Sequence, residues 1–283
     1  MERDERLSQL IVIGSSAGGI DALSVVVGGL PADLPVPVII AQHLDPRRPS
    51  RLTEILQRKT ALPVQEVTDA ADLEPGRVLV IPPNRNAHVA DSRVTVDEPA
   101  DGRPKPSIDQ LFESAAHAYG EGLIAVILTG TGTDGAIGAR AVKAAGGTIV
   151  IQNPETASYP GMPQSIATSI VDIVAELDAL GPLLQDLVLG AYAPRVPQDE
   201  RILETFLDQV RERSGIDFSA YKRATILRRL QRRMAATGSA QLRDYTRYAR
   251  QNPDELQRLA SSVLIKAETK YSWAQSGHRG IAP

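Results

Sequence analysis

Short unbroken apolar runs, several of them followed by a helical stretch, set the strongest limit on how this chain can fold. Such runs occur at Leu10–Ile13, Val36–Ala41, Val78–Ile81, Leu123–Leu128 and Thr148–Ile151. Helical patterns follow the first, second and fourth, in IDALSVVVGGL, SRLTEILQRKT and AIGARAVKAAGG. A strand with no polar alternation has both faces buried, and parallel strands covered by helices on either side bury both. The pattern predicts an α/β fold with a doubly wound, mainly parallel sheet over residues 8–190. HVADSRVTVDE, residues 88 to 98, alternates about Asp91-Ser92 and predicts an inserted β-hairpin.

Residues 191–199 carry two prolines and no apolar period, so they read as a linker. From 200 to 265 every pattern is helical, which predicts a small all-α C-terminal domain, and 266–283 reads as an irregular tail. The chain has no cysteine, which excludes disulfides, a thiol nucleophile and thiolate metal sites. Its opening MERDERLSQL is charged with both signs, and the apolar run that follows is far shorter than the ~20 residues of a membrane span. A cytoplasmic protein without membrane insertion is the expectation.

The stretch GSSAGG, residues 14 to 19, links the first strand to the first helix. Such a turn cradles a phosphate or presents a reactive side chain. A dinucleotide fingerprint needs glycine where Ser16 stands, and a P-loop needs a Gly-Lys-Ser/Thr ending that is missing, so no cofactor is expected. Gly14-Ser15-Ser16-Ala17-Gly18 fits instead the G-x-S-x-G elbow, in which small neighbours let a strained turn expose the central hydroxyl. His43 ends the strand VPVIIAQH, and Asp134 lies in LTGTGTDGAIGA between a strand and the next helix. His88 is a lesser candidate base; His117 falls mid-helix and His278 in the tail. Ser16, His43 and Asp134 thus share the carboxyl edge of the sheet, where open α/β folds place their sites. Spacing leaves two readings open: a Ser-His-Asp hydrolase, or a packing turn with a structural histidine and a helix-capping aspartate.

GSSAGG, AQHL, IPPNRNAH, PSIDQLFESAA, LTGTGTDGAIG and PGMPQSI occur in an order that resembles the catalytic domain of the CheB family, the chemotaxis protein-glutamate methylesterases. The resemblance covers residues 8 to 190. It implies Ser16 as nucleophile, His43 as general base and Asp134 as its acid, acting on glutamate γ-methyl esters of chemoreceptors and on particular glutamines. It also implies an oxyanion site from the backbone N–H groups of Ala17 and Thr131, the latter often methionine in the family. No metal or cofactor is implied. Many members carry an N-terminal phosphoreceiver domain; here the first strand begins by residue 10, so control by a receiver is not expected.

Residues 211 to 250 hold eleven Lys or Arg and three acids, a net +8 in a chain of −3 overall. That excess predicts an anionic partner for this end of the chain. In YKRATILRRLQRRMAATG, helical spacing puts Ala224, Leu227, Leu230 and Met234 on one stripe, with Lys222, Arg228, Arg229, Arg232 and Arg233 opposite. With few aromatics and no recognition motif, nucleic acid is not the expected partner. FLDQVRERSGIDFSAYKRATILRRLQRRMAATG, followed by NPDEL, resembles the N-terminal helical domain of the CheR receptor methyltransferases. The resemblance implies that the basic helix meets acidic, methyl-accepting receptor helices through Arg228, Arg229, Arg232 and Arg233. It also implies the front part of a CheB–CheR fusion, expected not to bind S-adenosylmethionine because the α/β domain that holds it does not follow.

Overall fold

Seven strands form one sheet, and every neighbouring pair, in the order β10 (Ile173–Ala175), β9 (Thr148–Gln152), β8 (Leu123–Ile127), β1 (Leu10–Ser15), β2 (Val38–Gln42), β5 (Val78–Val80) and β3 (Val64–Glu66), is parallel. The computed structural model describes residues 8–45, 50–97, 106–190, 200–216, 218, 221, 223–260 and 262. The helices among these strands are α1 (Gly19–Gly28), α2 (Leu52–Gln57), α3 (Ile108–Tyr119), α4 (Ala136–Ala145), α5 (Gly161–Ser165) and α6 (Leu180–Leu189). The α/β expectation holds: β1, β2, β8 and β9 are buried along their whole length, as continuous apolar runs require.

A second sheet joins β4 (Ala70–Asp72) antiparallel to the hairpin of β6 (Ala87–Ala90) and β7 (Arg93–Val96). Asp91 and Ser92 both take positive φ, 48° and 60°, the backbone of a two-residue turn matched to strand twist. The expected hairpin is present, with a third strand that its sequence does not announce.

The chain runs β1 to β2 on one side of β1, reaches the far edge, and returns to β8 on the other side. The order therefore reverses between β1 and β8, the position at which open α/β sheets leave a crevice at the strand carboxyl ends. Ser16 follows β1 and the loop Thr129–Gly135 follows β8, so topology alone puts both on that crevice.

The chain divides into two compact units at Leu189 and Gly190. The linker 191–199, Lys222 and the tail 266–283 lie outside the described residues. The second unit is helical, with α7 (Glu200–Ser214), α8 (Arg223–Ala236), α9 (Leu242–Gln251) and a further helical stretch over 253–260. Phe206, Leu230, Met234, Tyr245 and Leu259 lie in its core, and Phe206 meets Tyr245 edge-on with ring centroids 5.7 Å apart. No described helix is long and apolar enough to cross a membrane.

The arginine face of α8 departs from the sequence expectation. Arg228 is exposed, but Arg229, Arg232 and Arg233 are buried, while Ala224 is exposed and Ile226 joins the core. Periodicity counts a charged side chain as outward, yet a charge can go inward when another element supplies its counter-ion. For Arg233 that element is the helix over 253–260: Nε and Nη2 donate to the two oxygens of Glu255 at 2.8 and 2.7 Å. Tyr245 Oη donates to the same carboxylate at 2.8 Å, and burial beside that charge pushes its phenol upward, keeping it a donor. Removing one member of such a buried pair costs about 3–5 kcal/mol. Arg233 is therefore a core residue.

Candidate active site

At the carboxyl edge, β1 and β2 are tied together by one side chain. Gln42, buried at the end of β2, accepts from Ser15 Oγ at 2.6 Å. Its Nε2 donates to the carbonyls of both Ser16 and His43, at 2.8 Å each. His43 N donates to Ser15 O at 3.1 Å, and Ser16 N to Thr129 O at 3.0 Å. These bonds bring the ends of β1, β2 and β8 together and decide which serine is available. Ser15 is fully buried and committed to Gln42, whereas Ser16, one residue on, is half-buried at the turn.

The glycines of the elbow serve this packing. Gly18 takes φ 72°, a left-handed turn that enters α1. A Cβ on Gly19 would run into the Gln42 carboxamide and lie 2.9 Å from Ser15 Cβ. The glycine at 19 thus admits Gln42, which gives the cluster a structural reason other than a phosphate.

His43 and Asp134, 91 residues apart, meet through Nε2 and Oδ2 at 2.9 Å, with side chains 16% and 18% exposed. Asp134 Oδ2 also accepts from Ile108 N at 2.8 Å and Oδ1 from Asp109 N at 2.9 Å, so the carboxylate sits on the N-terminus of α3. Burial works to raise this carboxyl, but the bond to His43 and the two backbone amides outweigh it and hold Asp134 below the usual carboxylate range. An ionised Asp134 accepts the proton on Nε2 of His43; in a neutral imidazole so bonded the lone pair lies on Nδ1.

Across from Ser16, the loop after β8 packs closely. A Cβ on Gly130 would lie 2.8 Å from Ser16 Cβ and overlap Met162 Sδ. Thr129 Oγ1 shares its one proton between the carbonyls of Ala17 and Tyr159, at 3.1 and 3.2 Å, and accepts from Tyr159 N at 2.8 Å, joining this loop to the elbow and to the segment leading into α5. Among the described residues, the N–H groups of Ala17 and Thr131 donate no hydrogen bond to the protein. Thr131 is exposed and Ala17 half-buried. His88 pairs with Asp97 at 3.0 Å on the exposed hairpin, and His117 lies in the last turn of α3. His278 is outside the described residues.

Sequence reasoning did not assign roles to Gln42, Asp109 and Thr129, although all three stand within motifs it singled out. A buried polar strand end is the one signal Gln42 gave.

Residues 11–184 match the family model of the CheB methylesterase. The chain belongs to the CheB methylesterase family. Residues 201–264 match a second model, the all-alpha domain of CheR methyltransferase, so a CheB-like and a CheR-like module stand in tandem. A protein-glutamate methylesterase/protein-glutamine glutaminase of Anaeromyxobacter dehalogenans is 39% identical over 202 residues, covering 68% of this chain and 58% of its own length. A putative protein of the same name from Leptospira interrogans is 36% identical over 179 residues, covering 62% of this chain and 92% of its own. The CheB methylesterase catalytic domain of Thermotoga maritima superposes with a TM-score of 0.60 at 32% identity, over 64% of this chain and 99% of that one. The CheB-like chain thus spans under two thirds of the first relative's length and nearly all of the isolated catalytic domain.

Proposed function

We propose that this chain is a serine esterase that hydrolyses glutamate γ-methyl esters on the cytoplasmic helices of chemoreceptors, and deamidates glutamines there by the same chemistry. The observation that carries the reading is the bond from His43 to Asp134, a carboxyl held below its usual range, on the same strand-edge crevice as a half-exposed Ser16 where the strand order reverses. Ser16 Oγ attacks the ester carbonyl while His43 Nδ1 takes the hydroxyl proton. Asp134 holds the imidazole in the tautomer that leaves Nδ1 basic and stabilises the imidazolium that forms. The N–H groups of Ala17 and Thr131 stabilise the oxyanion. Collapse of the tetrahedral intermediate breaks the bond to methoxide, which leaves as methanol with the proton from His43. Water, deprotonated by His43, then cleaves the acyl-enzyme to glutamate and free Ser16. With a glutamine substrate the leaving group is ammonia.

The CheR-like unit is proposed to dock the receptor. Its contact is narrowed by the burial of Arg229, Arg232 and Arg233 to exposed cations such as Arg228 on α8 and Arg243 on α9.

Two measurements test the proposal. A fluorophosphonate should label the purified chain at Ser16, and receptor helices bearing methyl esters should release methanol. Neither label nor methanol would leave the chain a non-catalytic docking adaptor. Reversing Arg228 and Arg243 to glutamate should slow demethylation of receptor several-fold and leave a small soluble ester unaffected, with added salt acting in the same direction. An equal effect on both substrates, or on neither, would remove docking from the reading.

A further inference from the structure

Two carboxylates face each other across the N-termini of α3 and α4, and only Asp134 touches His43. Asp134, two residues before α4, accepts from the N–H groups of Ile108 and Asp109 at the start of α3. Asp109, in the first turn of α3, returns the arrangement: its Oδ1 accepts from Gly135 N at 2.9 Å and Gly138 N at 2.8 Å at the start of α4. Each carboxylate caps the helix that carries or follows the other.

Local residues could not do this for α4, because its N-cap is Gly135, with φ 101° and no side chain to donate an acceptor. The helices also approach closely here. A Cβ on Gly138 would lie 2.6 Å from Phe112 Cβ and 2.7 Å from Asp109 O. Asp134 itself ends a loop with positive-φ glycines at 132 and 135, and such backbone holds a side chain in place only through its anchors. Burial, with the charge of Asp134 adding to it, pushes the Asp109 carboxyl upward against the backbone amides that pull it back.

We propose that Asp109 is a positioning residue for the reaction: by closing this reciprocal clamp it fixes Asp134 Oδ2 at the distance and angle that orient His43. The proposal deepens the esterase reading and rests on it for its kinetic consequence, but not for the clamp. Without Asp109 the first turn of α4 loses two acceptor contacts and the Asp134 loop is released at its far end. A displacement of about 1 Å at a catalytic group costs on the order of 100-fold in rate.

The test compares Asp109→Ala and Asp109→Asn in the full chain by two readouts. Proton NMR follows the downfield imidazole N–H signal of His43 in its bond to Asp134. Steady-state kinetics on a small methyl ester separates kcat from KM. In D109A the signal should broaden or vanish, and kcat should fall about 100-fold with KM little changed. D109N, whose amide oxygen can still accept both N–H groups, should keep the signal and hold kcat within several-fold of the parent. If D109A does not fold, Asp109→Ser takes its place, since its shorter side chain cannot span both amides. A variant that only melts earlier, with signal and kcat intact, would make Asp109 a helix cap and nothing more. Equal damage in D109N would also overturn the clamp. A parent chain that shows the signal and its loss in D109A, yet hydrolyses no ester, would instead sink the esterase reading and leave the clamp standing.

Discussion

Replacing Ser16 with alanine should reduce ester hydrolysis by a factor on the order of a million, the loss seen when a serine protease loses its nucleophile. The folded chain should be almost unaffected, because Ser16 is held by its backbone: its N–H bonds Thr129 O and its carbonyl takes the Gln42 amide. Ser15→Ala should do the reverse. It removes the 2.6 Å donor to Gln42 inside the core and leaves that oxygen unpaired, a cost of about 1–3 kcal/mol, with a far smaller loss of rate. Assaying both variants on one soluble methyl ester, with thermal melts alongside, separates the roles. Comparable rate losses would mean that the elbow presents a different hydroxyl.

Asp134→Asn should cost about 10⁴ in kcat, for a reason particular to its surroundings. The carboxylate accepts three N–H groups with its two oxygens, from His43, Ile108 and Asp109. An asparagine offers one oxygen and must turn its NH2 toward at least one of those donors. Facing His43, it favours the tautomer with the proton on Nδ1, removing the base nitrogen; facing α3, it leaves helix amides opposed by donors. A rate loss under tenfold would show that the imidazole is oriented without Asp134. Stability should follow pH with a definite sign. Because the folded carboxyl lies below its unfolded value of about 3.9, its contribution is present above that pH. It is lost as pH falls through the depressed folded value. The melting gap between parent and D134N should therefore be full at neutral pH and close only in strong acid.

How much of this was legible beforehand depends on how far apart the interacting residues are. Each central strand expected from the sequence is a run of four to six mainly apolar residues, and the hairpin strands are an alternation, signals contained in their own positions. β3, β4 and β10 are three residues long and show no period, and they exist because a neighbour offers backbone partners. Ser16, His43 and Asp134 could be placed on one edge because each ends or follows a strand. Gln42 and Asp109 could not be assigned a task, since each acts across a gap between elements that only the packed sheet closes. Three arginines of α8, Arg229, Arg232 and Arg233, turn inward for the same reason. Helical spacing gives the direction of a side chain from its own axis, not whether Glu255, 22 residues beyond Arg233, will be waiting there.

The placement of the site on three strands also ties its activity to the order of synthesis. Ser16 and His43 emerge from the ribosome before Asp134, which bonds the histidine from 91 positions later, beyond a hairpin and two α-helices. β1 is central, and one of its two flanking partners, β8, is among the later strands to be made. Closing that pair is a long-range event that carries the loop-closure cost typical of slow steps in parallel sheets. A nascent or partly folded chain therefore holds a serine and a histidine without the means to make one activate the other. In the proposed mechanism, hydrolytic competence therefore arrives only with the completion of the sheet.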